Sequence, residues 1–257
     1  MASTLKPLSY PNVLICGWGI TGKATEYVLG SQDHVDLGDK AVLTEYDFLV
    51  LCLPTPTING VQDISAIEEW LKETIKQKAN PIIIIRSTIL PGTTDKLSKL
   101  YNLQIAHVPE FLTEATALED ALNPQLLVIG SRDILIREKV KQLFLNGRCH
   151  PKKTIMTDPT TAEMIKYTMN SFFALKVTFA NQLWDVAKSV GANYSKLEES
   201  LKTHKWGSKN GWDVWHGGYR GFGGRCLIKD TEAFVHAFDL ALLEKMIEIN
   251  NKLLKEK

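Results

Sequence analysis

Val13-Leu14-Ile15-Cys16-Gly17-Trp18-Gly19-Ile20-Thr21-Gly22 decides how the first half of this chain folds. An apolar run passes straight into a glycine turn, and a helical pattern follows through about Leu29. The order reads as buried strand, tight turn and helix. Each glycine has its own task. The first makes the turn, the second lets the backbone approach a pyrophosphate, and the third lets helix and strand pack closely. A helix starting there offers unpaired N–H groups and a partial positive charge to phosphates. In this context the spacing predicts a dinucleotide turn formed by Gly17, Trp18, Gly19, Ile20 and Gly22. A carboxylate about 20 residues further on should hold the ribose hydroxyls. Asp36 is the candidate and favours NAD over NADP; Asp39, in the same short and poorly patterned segment, competes with it.

Working outward, residues 46–53 and 81–86 are rich in β-branched side chains, as parallel strands covered on both faces require. Residues 126–130 read as a further strand. Between the first two, Ser65 and Glu68 resemble a capping box opening a helix with Ile67, Leu71 and Ile75 on one face. Strand–helix alternation of this kind predicts an α/β, Rossmann-type doubly wound parallel sheet. The pattern changes near Asp158. Residues 162–190 form one long helical stretch without glycine or proline, and Gly191 ends it. A second helix is expected from Ser195, with Glu198 in the capping position, then a glycine-rich loop from Gly207 to Gly224 and helix to the end. The reading places a nucleotide-binding domain at 1–157 and an all-helical domain, with its long central helix, at 158–257.

The 257 residues carry a formal net charge of +1, so no nucleic-acid patch or solvating tail is indicated. Spanning a bilayer takes roughly 20 consecutive apolar residues, and the longest runs here are far shorter. No leader-like apolar stretch stands in residues 1–11. Cys16, Cys52, Cys149 and Cys226 form no CxxC pair, which predicts reduced thiols and a cytoplasmic setting.

Ligands of open α/β sheets sit beyond the carboxyl ends of the strands. Two such ends carry polar turns: Pro54-Thr55-Pro56-Thr57, and Ser87-Thr88 leading into Pro91-Gly92. Their hydroxyls can bond phosphate, ribose or nicotinamide, although loop chemistry alone would also select them. Glu110 and Glu114 follow in an apolar setting, where paired carboxylates can divide into proton donor and acceptor, or simply open a helix. Lys166 and Asn170 lie one helical turn apart and share a face. Together they suit an oxyanion, while a helix lysine is more often solvated. The last signal is Gly221-Phe222-Gly223-Gly224-Arg225-Cys226-Leu227-Ile228-Lys229-Asp230. A cysteine beside a helix start and a lysine is biased towards thiolate. The plainer reading is a small residue at a tight turn.

Taken in order, "GWGITG", "LCLPTPT", "RSTILPGTT", "VPEFLTEATALEDALNPQLLVIG", "AEMIKYTMNSFFALKVTFAN" and "GFGGRCLIKD" resemble the blocks of the UDP-glucose/GDP-mannose dehydrogenase family. The resemblance runs from about Asn12 almost to the C-terminus. It implies NAD-dependent, four-electron oxidation of the C6 hydroxymethyl of a nucleotide sugar to a uronate, with no metal. It implies Cys226 as nucleophile, Lys166 and Asn170 as oxyanion partners, Asp230 with a bound water, Glu110 as acid/base and Thr88 holding that water. It also places Glu114 and Lys229, with Pro54, Thr55, Ser87 and Thr88, beside the cofactor, and Phe111, Leu112 and Gly223 at the substrate.

The chain departs from the family pattern in three places. The family usually carries a third, C-terminal α/β domain that closes over the substrate nucleotide, and the blocks here match only the first two domains. A longer chain, a minimal protein or a partner chain would each account for that. Where the family commonly has Arg-Ile-Gly, this chain has Lys205-Trp206-Gly207 and an aromatic insert ending in Arg220, the candidate replacement. The segment before Tyr46 is compressed. Two further readings remain: a two-electron dehydrogenase of the β-hydroxyacid or 6-phosphogluconate type, which needs no cysteine, and a catalytically reduced NAD-binding or assembly module. Apolar residues on more than one face of the long helix (Met164, Ile165, Met169, Phe172, Phe173, Phe179) predict a homodimer formed through it. The expected partners are thus a nucleotide sugar and a second copy, with no nucleic acid and no membrane.

Overall fold

The computed structural model describes residues 11–31, 33–216 and 218–256, with the side chain of Arg225 not included; the leader reading for residues 1–10 falls outside them. The chain divides into two units, one of residues up to Thr55 with Ile64–Met164, the other of Pro56–Asp63 with Ile165–Lys257.

In the first unit, β1 (Val13–Cys16), β2 (Asp33–Val35), β3 (Phe48–Leu51), β4 (Ile82–Ile85), β5 (Ile105–His107), β6 (Leu127–Gly130) and β7 (Thr154–Thr157) share one sheet. Their order is β2-β1-β3-β4-β5-β6-β7. All neighbours run parallel except β5 and β6, which meet antiparallel at His107 and Gly130. The chain leaves β1 towards β2 and returns on its other side as β3, so the switch point of the sheet falls at the end of β1. Helices α1 (Ile20–Leu29), α2 (Ser65–Lys76), α3 (Thr93–Tyr101), α4 (Ala117–Leu122) and α5 (Ile134–Asn146) complete the unit.

Strand alternation sorts each apolar run to two sides. Val13, Ile15, Val50, Ile82 and Ile84 pack with Val28 of α1 and Val140 and Phe144 of α5. Leu14, Cys16, Leu49, Leu51, Ile83 and Ile85 pack with Ile67 and Leu71 of α2 and Leu97 of α3. This explains why the strands read as continuous apolar runs. In α2 the buried face is Ile67, Leu71 and Thr74, spaced i, i+4, i+7, whereas Ile75 is 46% exposed. Thr74 can take that place because its hydroxyl donates to the carbonyl of Trp70. Ile64 occupies the N-cap, with no side-chain cap hydrogen bond, and Ser65 is the first helical residue, so the expected capping box is not formed.

Helix α6 (Pro159–Val190) begins in this unit. Its Glu163 is fully buried and accepts from the backbone N–H of Gly92 (2.5 Å) and Thr94 (2.7 Å) and from the Thr94 hydroxyl (2.6 Å). The two N–H groups are orphan donors of the α3 N-terminus, which the Glu163 side chain caps. Burial raises the Glu163 carboxyl to about 7, outweighing the opposing effect of the three donors. The folded state therefore holds a proton that the unfolded chain releases near pH 4.5. Unfolding free energy should fall as pH rises from about 4.5 to 7, by up to about 3 kcal/mol, and level off above. Urea melts of wild type and Glu163→Gln across that window check this: the mutant should lose the slope.

The second unit contains the rest of α6 with α7 (Tyr194–Thr203), α8 (Gly224–Phe238) and α9 (Ala241–Leu253). Ala174, Val177, Phe222 and Met246 form its small core. Asn193 is the N-cap of α7, so Ser195 is its second residue, and Glu198 pairs with Lys202 at 2.5 Å. Two short hairpins join the helices: Thr57–Ile58 with Val61–Gln62, and Trp215–His216 with Tyr219–Arg220. In the first, Asn59 and Gly60 both take positive φ (52° and 80°), as a two-residue loop that follows strand twist demands. The hairpin is tied to this unit by Thr57 Oγ1 donating to the Lys229 carbonyl (2.8 Å) and Gln62 Nε2 donating to the Tyr167 hydroxyl (3.0 Å). No helix among the described residues is long and apolar enough to cross a membrane.

Candidate active site

In the first unit the glycine turn sits at the switch point. Gly17 has φ +99°, and a Cβ there would lie 2.5 Å from the Cys52 carbonyl oxygen. A Cβ on Gly22 would lie 1.9 Å from the carbonyl oxygen of Gly17, so helix and turn touch with no room for a methyl group. Gly19, the N-cap of α1, would meet nothing within 4 Å. The two outer glycines are held by contact and the middle one faces open space, the arrangement that a pyrophosphate at a helix N-terminus needs. Ile20 opens α1 and is 47% exposed. Asp36 follows the last residue of β2, and its Oδ1 accepts from the N–H groups of Trp18 (3.3 Å) and Leu37 (2.9 Å). Asp39 instead caps the turn, accepting the Asp36 N–H at 2.8 Å. These residues fit a dinucleotide.

The neighbouring strand ends are linked to one another. Ser87 Oγ donates to the Leu53 carbonyl at 2.7 Å and accepts the Leu53 N–H at 2.9 Å; Thr55 Oγ1 donates to the Thr88 carbonyl at 2.8 Å. The hydroxyls of Thr55 and Ser87 thus stitch two strand ends together, while Pro54 is exposed. Glu110 folds back to accept the Leu112 N–H at 2.7 Å. Phe111 is half-buried, Leu112 packs on the core, and Glu114, exposed, opens a single 3₁₀ turn. The two glutamates therefore occupy different environments.

In the second unit, Lys166 is buried (5% exposed) and Asn170 follows one turn later on α6. Asn170 Nδ2 donates to Asp230 Oδ2 at 2.7 Å, and Lys229 Nζ reaches Asp230 Oδ1 at 2.5 Å. Asp230, 1% exposed, thus joins α6 to α8. Cys226 is the third residue of α8 and is exposed. A cysteine on the first turn of a helix experiences the positive end of the helix dipole. Burial raises the other three thiols, Cys16 well above its ordinary value and Cys52 and Cys149 to about 11. Iodoacetamide at pH 8 should therefore label Cys226 alone in the folded chain. Peptide mass spectrometry reads this, and labelling of Cys16 or Cys149 before unfolding would contradict it.

The loop before Cys226 is anchored by residues absent from the sequence analysis. Asn250 of α9 accepts the Phe222 N–H at 2.7 Å and returns a bond to the Phe222 carbonyl at 2.9 Å. Asn181 of α6 accepts the Gly221 N–H at 3.3 Å. Gly221 has φ +81°, and a Cβ there would lie 2.4 Å from Asn250 Oδ1; one on Gly223 would lie 2.6 Å from the Tyr219 hydroxyl. The sequence signal of Asn181 and Asn250 is weak, an asparagine within a helical pattern; only burial, which leaves an amide stable only when bonded, shows the role.

The expectation that Arg220 reaches a substrate sugar meets a guanidinium already engaged. It donates to Asn181 Oδ1 (3.1 Å) and the Asn181 carbonyl (3.0 Å), pairs with Asp185 (2.8 Å) and Glu256, and lies over Trp184. Its observed work is to hold the loop on α6. Lys176 does likewise at the far end of the insert, donating to Ser208 Oγ and the Asn210 carbonyl, both at 2.9 Å.

The sheet and its glycine turn define the dinucleotide-binding class of α/β domains. Models of two domains of one family match in order: the NAD binding domain of the UDP-glucose/GDP-mannose dehydrogenase family over residues 20–146, and its central domain over 160–252. The chain belongs to the UDP-glucose/GDP-mannose dehydrogenase family. It is 31% identical over 237 residues to UDP-glucose 6-dehydrogenase AglM of Haloferax volcanii, covering 81% of this chain and 54% of that one. It is 29% identical over 224 residues to UDP-glucose 6-dehydrogenase YwqF of Bacillus subtilis, covering 81% and 49%. The chain spans about half the length of the curated relatives it matches. A solved UDP-glucose dehydrogenase from Pyrobaculum islandicum superposes with a TM-score of 0.82 at 22% identity, over 96% of this chain and 70% of that one, which shows the shared fold.

Proposed function

We propose that this chain takes part in the NAD-dependent oxidation of the C6 hydroxymethyl of a nucleotide sugar to the carboxylate. The observation that carries the reading is the Asn170–Asp230–Lys229 cluster on α6 and α8, one turn from exposed Cys226 and one turn from buried Lys166. Family membership and the names of the relatives support it. Bound at the glycine turn, NAD supplies a hydride acceptor for each of the two oxidation steps. Gly17, Trp18, Gly19, Ile20, Gly22 and Asp36 hold its adenosine and pyrophosphate. Pro54, Thr55, Ser87, Thr88, Glu114 and Lys229 flank the rest.

The chain's own part is to keep the reactive aldehyde and to manage charge. The Cys226 sulfur adds to the C6 aldehyde, giving a thiohemiacetal whose oxyanion is met by Lys166 and Asn170. Loss of hydride from that carbon leaves a thioester. Water, oriented by Asp230 and Thr88 with Glu110 as acid/base, then cleaves the carbon–sulfur bond, releasing the carboxylate and restoring the thiol. Covalent retention prevents the aldehyde from escaping between the two oxidations. Phe111, Leu112 and Gly223 line the sugar. The test is a screen of the chain with NAD against UDP-glucose, UDP-N-acetyl sugars and GDP-mannose, read by mass spectrometry. A uronate from one of them supports the reading, and none from any overturns it.

The homodimer belongs to the same proposal. Phe172, Phe179 and Val186 stand seven residues apart on α6, 56%, 49% and 58% exposed, and Val190 extends the stripe at 71%. A heptad-spaced apolar stripe left in water is the pattern of helix pairing. Sedimentation at micromolar concentration should give a dimer for the wild type and a monomer for Phe179→Glu. A wild-type monomer would count against the pairing.

A further inference from the structure

The dinucleotide turn is held by aromatic contact as well as by glycine. The indole of Trp18 lies flat on the imidazole of His34, with centroids 3.5 Å apart and planes within 4°. His34 Nδ1 lies 2.7 Å from Glu26 Oε1 on α1, and Lys23 Nζ lies 5.8 Å from the Trp18 ring. The Trp18 N–H donates to Asp36 Oδ1. The strand explains the grouping. His34 lies within the strand and Asp36 directly after its last residue, Val35, which the parallel register sets opposite Cys16, just before the turn.

Trp18 stands between Gly17 and Gly19, so its backbone has unusual freedom on both sides unless something outside the turn restrains it. The stack and the Glu26 tether supply that restraint. Their effect reaches Asp36, whose Oδ1 accepts two N–H groups while Oδ2 has no partner among the described residues. An acidic side chain held this way is ready for a ribose hydroxyl and repels a 2′-phosphate.

We propose that His34 is a positioning residue for the cofactor: stacked on Trp18 and tethered to Glu26, it fixes the turn and, through the Trp18 N–H, orients Asp36 to select NAD over NADP. This rests on the reading of residues 17–36 as the NAD-binding turn. Affinity gained by such restraint comes from ordering the site before the ligand arrives. His34 is 39% exposed at its side chain, so replacing it leaves no buried hole.

The experiment compares wild type, His34→Ala and His34→Phe by calorimetric titration with NAD and with NADP. Trp18 emission is isolated in each by subtracting the matching Trp18→Phe background. In His34→Ala, NAD affinity should fall about tenfold and NADP affinity by less, because both lose the ordered turn but only NAD loses the oriented Asp36, so the preference ratio falls. Trp18 emission should rise about twofold as the stacked ring is removed. His34→Phe keeps a flat ring and should recover NAD affinity to within about threefold. An unchanged NAD/NADP ratio in His34→Ala, unchanged Trp18 emission, or a His34→Phe variant as weak as the alanine would each overturn the proposal alone. A wild-type chain that binds neither nucleotide would overturn the reading beneath it as well.

Discussion

Cys226→Ala is expected to make uronate at no more than roughly 10⁻⁴ of the wild-type rate, the scale of losing an enzymic nucleophile. Its affinity for NAD should stay within about twofold, because the contacts proposed for adenosine and pyrophosphate come from the glycine turn and Asp36 and do not involve the thiol. The physical reason is that no neighbour replaces the thiol. Cys16 and Cys149 are buried, and burial holds Cys52 at about 11. Lys166, Asn170 and Asp230 would still stabilise charge, but without a covalent anchor the aldehyde can leave between oxidations. Quantifying uronate and released aldehyde by mass spectrometry separates these steps. Undiminished uronate from the alanine variant would remove the thiol from the mechanism.

The second large effect is expected at Gly19. Gly19 has φ −77°, which alanine adopts without strain, and its added methyl group would meet no protein atom within 4 Å. Gly19→Ala should therefore melt like the wild type. The same methyl group would occupy the open side of the turn, where a pyrophosphate must approach, so NAD affinity should fall about 100-fold, the scale of an ångström-sized displacement. Gly22→Ala is the control with the opposite cause. Its methyl group would lie 1.9 Å from the carbonyl oxygen of Gly17, and neither backbone can yield cheaply, so stability and binding should fall together. Calorimetric titration with thermal melts distinguishes the two. A Gly19→Ala variant that binds NAD normally would contradict the phosphate position.

Much of this was legible because local rules and tertiary demands coincide. The apolar runs at β1, β3 and β4 are buried on both faces, so every residue had to be apolar and the run was visible. The strands β5 and β7 escaped because one is three residues long and the other is only partly buried, leaving weak patterns. The Asn59-Gly60 hairpin did carry a local signal, a two-residue loop with positive φ at both positions. It was masked by the longer strand–helix rhythm around it. In α2, Ile75 was placed on the buried face by its four-residue spacing from Ile67 and Leu71; a threonine able to bond its own helix took the place instead.

By itself the sequence determined the class of fold, the glycine turn and the residue types that the proposed chemistry needs, since each depends on spacing along the chain. Only the tertiary structure decided which polar groups are committed elsewhere. Arg220 is engaged with Asn181, Asp185 and Glu256, while Asn181 and Asn250 hold the loop that precedes Cys226. These partners lie 28 to 40 residues apart along the chain. A buried hydrogen bond is favourable only when its distant partner arrives in the right geometry, and no local pattern encodes that arrival.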